Sequence, residues 1–180
     1  MPKINVGDTM PNFSIQTPYQ NNTNLKKLIG NEKTAIIFLR YYGCTLCQYD
    51  IHQYTLNYDE IIKEGGELLV VLQSDPQKLS IELKENKIPF EIICDPNQEL
   101  YKDLSIEVAN SKEDMIDEFT IEKIVKAKEY FSHGEYEGEE LQLPATFVVD
   151  EELKVVCAIY GKSVSDVPTP EQLKDLLKNK

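Results

Sequence analysis

At 180 residues the chain is long enough for one domain with a full hydrophobic core. Hydrophobic residues make up 41% and charged residues 28%, the proportions of an ordinary soluble globular protein. Its net charge of −12 gives a surface that repels phosphate backbones and anionic lipid, which argues against nucleic-acid and membrane partners. The opening "MPKINVGDTMPNF" holds no apolar run of signal-peptide length, and nowhere do 18 apolar residues follow one another. A cytoplasmic protein is therefore expected. There the thiol pool is kept reduced, so the four cysteines do not suggest a structural disulfide framework.

In chain order, "TAIIFLRYY" (34–42) is β-branched, aromatic and nearly all apolar, as a strand buried on both faces reads. From Cys44 to Glu64 the pattern turns helical: Cys47, Ile51, Tyr54, Tyr58 and Ile61 recur at spacings of three and four, and Gly65-Gly66 stops the run. "ELLVVLQ" (67–73) is the next buried strand. Asp75-Pro76 then opens a helix over 76–87, which Pro89 breaks before a short strand at 90–94. A turn and a short helix follow in "DPNQELYKDLSI". Residues 111–131 are predicted as one amphipathic helix with Met115, Phe119, Ile124 and Val125 on its apolar side, leading into a turn-rich loop with glycines at 134 and 138. "ATFVVD" and "KVVCAIYG" flank Glu151-Glu152 as an antiparallel hairpin, and a helix over 170–179 closes the chain. This order implies an α/β fold: a central mixed sheet with a parallel core and an antiparallel edge, covered by helices on both faces.

Cys44 and Cys47, in "RYYGCTLCQYD", fall where the first core strand hands over to the first long helix. Ligands and chemistry sit at such carboxyl ends of strands in open α/β sheets. Residues three apart on a helix share a face, with Cβ atoms about 5–6 Å apart, so a small adjustment brings the pair to disulfide distance. The free N–H groups and positive dipole of the first turn favour a thiolate on Cys44, and cysteines so placed titrate at roughly 3.5 to 7.5. Cys44, expected at the solvent end, would attack, and Cys47, deeper in the helix, would resolve the mixed disulfide.

Other readings stand beside this one. Two buried cysteines can serve as small hydrophobes. A zinc site needs four ligands at suitable spacing, whereas Cys94, Cys157, His52 and His133 are scattered. Cys94 and Cys157 lie in strand patterns and read as core. His52 is rotated away from Cys47 and reads as a surface residue. His133 sits in the loop before Pro144, where a solvated turn histidine is the ordinary expectation. Arg40 either adds positive potential at the pair or serves a salt bridge. Tyr41 and Tyr42 end the strand beside Cys44, and one of them is expected to line the site.

The strand followed by C-x-x-C at a helix start, with "LQLPATFVVD" (141–150) late in the chain, resembles the thioredoxin fold. That resemblance implies a cis proline at Pro144 facing the redox pair, with Thr146 beside it. "VGDTMPNFSIQT" (6–17), "ICDPNQELYKDLSI" (93–106) and "PATFVVDEELKVV" are similar to segments of the alkyl hydroperoxide reductase/thiol-specific antioxidant (AhpC/TSA, peroxiredoxin-like) family. On this resemblance residues 107–140 form a family-specific helical insert, either a lid or a dimer surface, within a single domain that has an N-terminal extension. Peroxiredoxins carry "P-x-x-x-T/S-x-x-C" at the peroxide-reacting cysteine; here Ile37 and Tyr41 replace the proline and threonine. Disulfide exchange thus fits better than specialised peroxidase work. The expected partners are protein or small-molecule disulfides, with hydroperoxides as the alternative. A thioredoxin-type protein or a low-molecular-weight thiol would supply electrons, with no cofactor. Outside enzymology, the same features suit a redox sensor or a binding module on this scaffold.

Overall fold

The computed structural model describes residues 2–178. A short antiparallel hairpin, β1 (Ser14–Ile15) and β2 (Thr23–Asn24), and one helical turn, α1 (Leu25–Leu28), lead into β3 (Thr34–Phe38). Helices α2 (Thr45–Leu56) and α3 (Tyr58–Ile61) follow, then β4 (Glu67–Leu72), α4 (Pro76–Glu85), β5 (Glu91–Cys94) and α5 (Glu99–Asp103). A 3-10 turn at Glu113–Met115 precedes α6 (Glu118–Tyr130); β6 (Ala145–Val149), β7 (Val155–Tyr160) and α7 (Pro170–Leu177) complete the chain.

The main sheet has the spatial order β5-β4-β3-β6-β7. β3, β4 and β5 run parallel, while β6 and β7 are antiparallel additions, so the expected mixed sheet is present. The period-2 alternation of strand side chains divides its residues between two cores. Ala35, Ile37, Leu68 and Val70 pack with the side chains of α2, α4 and α7. Ile36, Phe38, Leu69 and Val71 pack on the opposite face with Met10, Ile15 and Tyr101.

β3 stops at Phe38, four residues short of the predicted end. The buried Tyr101 hydroxyl donates to the Leu39 carbonyl at 2.7 Å and lies 3.1 Å from that of Val71, while Leu39 N–H still donates to Val71 O at 3.0 Å. Residues 39–42 then continue beyond the regular sheet, with Arg40 O still accepting from Gln73 N–H at 2.7 Å. The predicted helix over 44–64 is likewise interrupted. Asn57 donates its side-chain amide to Gln53 O at 2.8 Å, a local bond that competes with helix continuation, and α3 starts afresh at Tyr58.

The segment 107–140 leaves and re-enters the body side by side. Val108 bridges Gln142, with Ala109 N–H bonded to Leu141 O and Leu143 N–H to Glu107 O. Its helix begins only at Glu118, because Asp117 forms a capping box with Thr120. The predicted apolar stripe holds in part: Met115 is buried and Ile124 packs against the core, but Phe119 and Val125 are exposed. α6 lies against α2 with Ala127 in the core and Lys123 paired with buried Asp50 at 2.6 Å, while buried Thr120 bonds Asp117 and Ser165. The contact with α2 leaves Phe119 and Val125 on the outside.

Candidate active site

Three elements meet at the cysteine pair: the exit from β3, the start of α2, and the segment 131–140, which runs back across both. Cys44 is the N-cap of α2, in extended conformation, and its Sγ accepts the Cys47 backbone N–H at 3.3 Å. A cysteine thus takes the place where Ser, Thr, Asp or Asn is preferred, its sulfur meeting one of the unpaired donors of the first turn. Arg40 reaches the same sulfur from the strand side, Nη2 donating to Cys44 Sγ at 3.0 Å. Both readings left open for this arginine are therefore realised, because its Nη1 donates to the Glu140 carboxylate and to the Glu140 carbonyl, each at 2.9 Å.

These contacts separate the two thiols electrostatically. Burial opposes a charge on Cys44, but the Cys47 thiol, the Arg40 charge and the two N–H donors outweigh it, lowering Cys44 to about 6. Burial, the bond to Cys44 and the charge on that sulfur push Cys47 well above its usual range. Burial also opposes the charge on Arg40, yet the two cysteines and Glu140 more than offset it and keep the guanidinium protonated. Cys94 and Cys157 stand apart from this arrangement. Burial raises both, Cys94 to about 12, and Cys157 is only half-buried.

Cys44 is not at a solvent-facing end. It is 0% exposed and Cys47 3% exposed. The cover is the segment 131–140. Gly134 N–H donates to Gly43 O at 2.8 Å, and the Gln48 side-chain amide donates to both Gly43 O and Ser132 O. Further along, Asp75 N–H donates to Glu137, Lys78 pairs with Glu135 at 2.6 Å, and the Gln73 side-chain oxygen accepts Glu139 N–H at 2.7 Å. At the far end Glu140 grips Arg40 with one carboxylate oxygen and accepts the Tyr41 hydroxyl with the other at 2.6 Å. Reading the sequence missed Glu140 entirely. His133, expected in a solvated turn, is exposed but has Nε2 3.0 Å from that hydroxyl and its ring stacked on Tyr136. His52 is a surface residue packed edge-on against Phe131.

The remaining expectations resolve differently. Tyr41 is fully buried; burial and then its bond to Glu140 raise its phenol. Tyr42 is half-buried and, with Gly43, Leu79, Ile81 and Glu82, lines a cleft of about 350 Å³ beside the motif. Pro144 does not adopt the cis form: no described peptide bond is cis. The Leu143 N–H bond to Glu107 O already sets an extended approach to β6, and the trans bond, favoured by about 0.5–1 kcal/mol, serves it. The Pro144 ring lies against Gly161, whose N–H donates to Pro144 O at 2.9 Å. Thr146 is buried opposite Ile37 and lines a separate groove with Ile159, Val167 and Pro168. No described helix is long and apolar enough to cross a membrane.

Solved structures share this fold at low sequence identity. Peroxiredoxin 6 of Arenicola marina superposes with a TM-score of 0.68 at 14% identity, over 97% of this chain and 72% of that one. PrxQ of Xylella fastidiosa gives 0.62 at 14% identity, over 98% and 95%. A protein assigned as the thiol:disulfide interchange protein DsbE of Chlorobium tepidum gives 0.57 at 13% identity, over 91% of each chain. No curated protein sequence matches. The model of the AhpC/TSA family matches residues 6–158, which include both motif cysteines and most of the sheet; the chain belongs to the AhpC/TSA family.

Proposed function

We propose that the protein is a thiol–disulfide oxidoreductase that cycles between a Cys44/Cys47 dithiol and a Cys44–Cys47 disulfide. The observation that carries this reading is the polarised pair: one sulfur at a helix N-cap holding an arginine, and a protonated partner one turn behind it. The Cys44 thiolate attacks a disulfide R–S–S–R′, forming Cys44–S–S–R and expelling R′S⁻, which takes a proton from solvent. With the charge on Cys44 gone, the main anionic neighbour that opposed ionisation of Cys47 is removed, while Arg40 still favours it. Cys47 then attacks Cys44 Sγ, its proton leaves with RSH, and the internal disulfide forms. Two electrons have passed from the pair to the substrate, and an external dithiol or two low-molecular-weight thiols restore them. Family membership and the fold shared with an assigned thiol:disulfide interchange protein support the reading.

One observation favours a second reading. Cys44 is wholly buried, with the 131–140 segment bonded to Gly43 beside it, which suits a small oxidant better than a protein disulfide. A hydroperoxide ROOH would give its terminal OH to Cys44–S⁻, its O–O bond breaking to leave RO⁻, which takes a proton from solvent to become an alcohol or water. Cys47–SH would then condense with the sulfenic acid, forming the disulfide and releasing water.

Rapid mixing of the reduced protein with hydroxyethyl disulfide and, separately, with hydrogen peroxide tests both. Fast disulfide exchange that Cys44→Ser abolishes and Cys47→Ser traps as a mixed disulfide is the expected result. Faster consumption of peroxide with a sulfenate on Cys44 would transfer the assignment to the second reading. Neither reagent outpacing its reaction with a free thiol would remove both.

A further inference from the structure

On the strength of the thiol chemistry just proposed, we infer that Glu140 is a positioning residue for the reactive sulfur: it anchors the Arg40 guanidinium so that Nη2 points at Cys44 Sγ. Arg40 lies two residues past the end of β3, 100 residues away in sequence, and its Nη1 makes two bonds, both to Glu140, one to the carboxylate and one to the carbonyl. Glu140 is itself held at its other oxygen by the Tyr41 hydroxyl, on which His133 also rests. A single carboxylate therefore ties the two residues that follow Leu39 and leaves one guanidinium edge facing the sulfur. On that side Arg40 Nε is the one buried side-chain N or O among the described residues without a partner. A guanidinium that tolerates an unmet buried donor is being held in place by its other contacts, not by an optimum of its own.

Glu140 could act on Cys44 in two opposite ways, and this makes the inference decidable. As a bare anion near the site it disfavours the thiolate, so removing it would lower the Cys44 titration. As the anchor of Arg40 it favours the thiolate, and removing it would raise the titration. The groups that bear on Cys44 are Arg40 and Tyr41 from the strand exit and Cys47 from α2, with Glu140 of the covering segment reaching it through Arg40 and His133 resting on Tyr41. Among them Arg40 is the one cation in direct contact with Sγ. The anchoring effect is therefore the larger.

The test is the pH titration of thiolate ultraviolet absorbance, which reads ionisation whether or not a reagent can enter. In the wild type a low transition that Cys44→Ser removes is expected. Glu140→Ala is expected to move its midpoint toward that of a free thiol, cutting the thiolate fraction at pH 6 at least threefold. Glu140→Gln, which keeps one acceptor for Arg40, should restore part of the shift, and Tyr41→Phe should raise the midpoint less than Glu140→Ala. If Glu140→Ala fails to fold, the glutamine and phenylalanine variants read the same sign. An unchanged or lowered midpoint in these variants would overturn the inference while leaving the dithiol reading intact. Absence of any low transition in the wild type would instead defeat the reading on which it rests.

Discussion

The N–H of Gly134 donates to the carbonyl of Gly43, and the two backbones lie so close that neither residue has room for a side chain. A Cβ on Gly43 would sit 2.5 Å from Glu135 O, and one on Gly134 would sit 3.0 Å from Gly43 Cα. Both contacts are with backbone, which cannot swing aside as a side-chain tip can. Gly43→Ala is therefore expected to push the covering segment off the cysteine pair. A bulky alkylating reagent should then modify Cys44 at least tenfold faster at pH 8, and a lower melting temperature should accompany the change. An unchanged alkylation rate would mean that the cover is not what limits access.

The charge on Cys44 gives reactivity a defined pH dependence. Alkylation of Cys44 by a small reagent should rise through pH about 6 and level off above it, while Cys94, raised to about 12, stays inert throughout. Stability follows the same proton. The folded thiol releases it at about 6 and an unfolded cysteine at about 8.5, so the native state gains stability as pH rises between these values. That gain is complete above the upper value and is lost as pH falls through the lower one. Chemical denaturation at a series of pH values should show a weaker dependence over this interval in Cys44→Ser.

Asp50 and Lys123 join α2 to α6 with little solvent around either side chain. Burial raises the Asp50 carboxyl even with the ammonium beside it, so the pair is held by mutual need and leaves a stranded charge when one partner is removed. Lys123→Ala should cost on the order of 3 kcal/mol, and the double variant with Asp50→Ala should recover part of it. Urea denaturation of the four proteins in the cycle measures this coupling. Simple additivity would show that the pair does not interact.

Asp117 caps α6 and also accepts bonds from the hydroxyls of Ser163 and Ser165. Burial opposes the charge on its carboxyl, but the two serine hydroxyls together with the Thr120 N–H and hydroxyl outweigh it and hold the group down, to about 2, so the cap stays charged through the physiological range. Asp117→Ala should destabilise the fold by about 1 kcal/mol or somewhat more. Asp117→Asn, which keeps the acceptor, should cost less. Hydrogen exchange in the first turn of α6 would locate the loss.

What was legible in the sequence follows from how local the cause is. β3, β4 and the hairpin β6–β7 are apolar runs bounded by turn residues, and Cys44–Cys47 is a three-residue spacing at a helix start; neither needs distant chain to be seen. Glu140 and His133 act on Tyr41 from 99 and 92 residues away, out of a loop with no periodicity to mark them. The burial of Cys44 is hidden for the same reason, since its cover comes from that loop. Phe119 and Val125 misled because helical spacing shows which residues share a face but not which face finds a partner. Pro144 misled differently: its cis form was carried by family likeness alone, and the bonds of Glu107 and Gly161 to the flanking backbone are made with the trans chain.

The side-by-side departure and return of the chain at Val108 and Gln142 has a consequence for how such a molecule can vary. Two ends already paired need no new closure when what lies between them grows, shrinks or is exchanged. The sheet and the cysteine turn can stay as they are while the roof over them is replaced as a cartridge. Because that roof carries both the seal over the sulfur and the tether of its arginine, one exchange would alter admission and acidity together, with no change in the residues that do the chemistry.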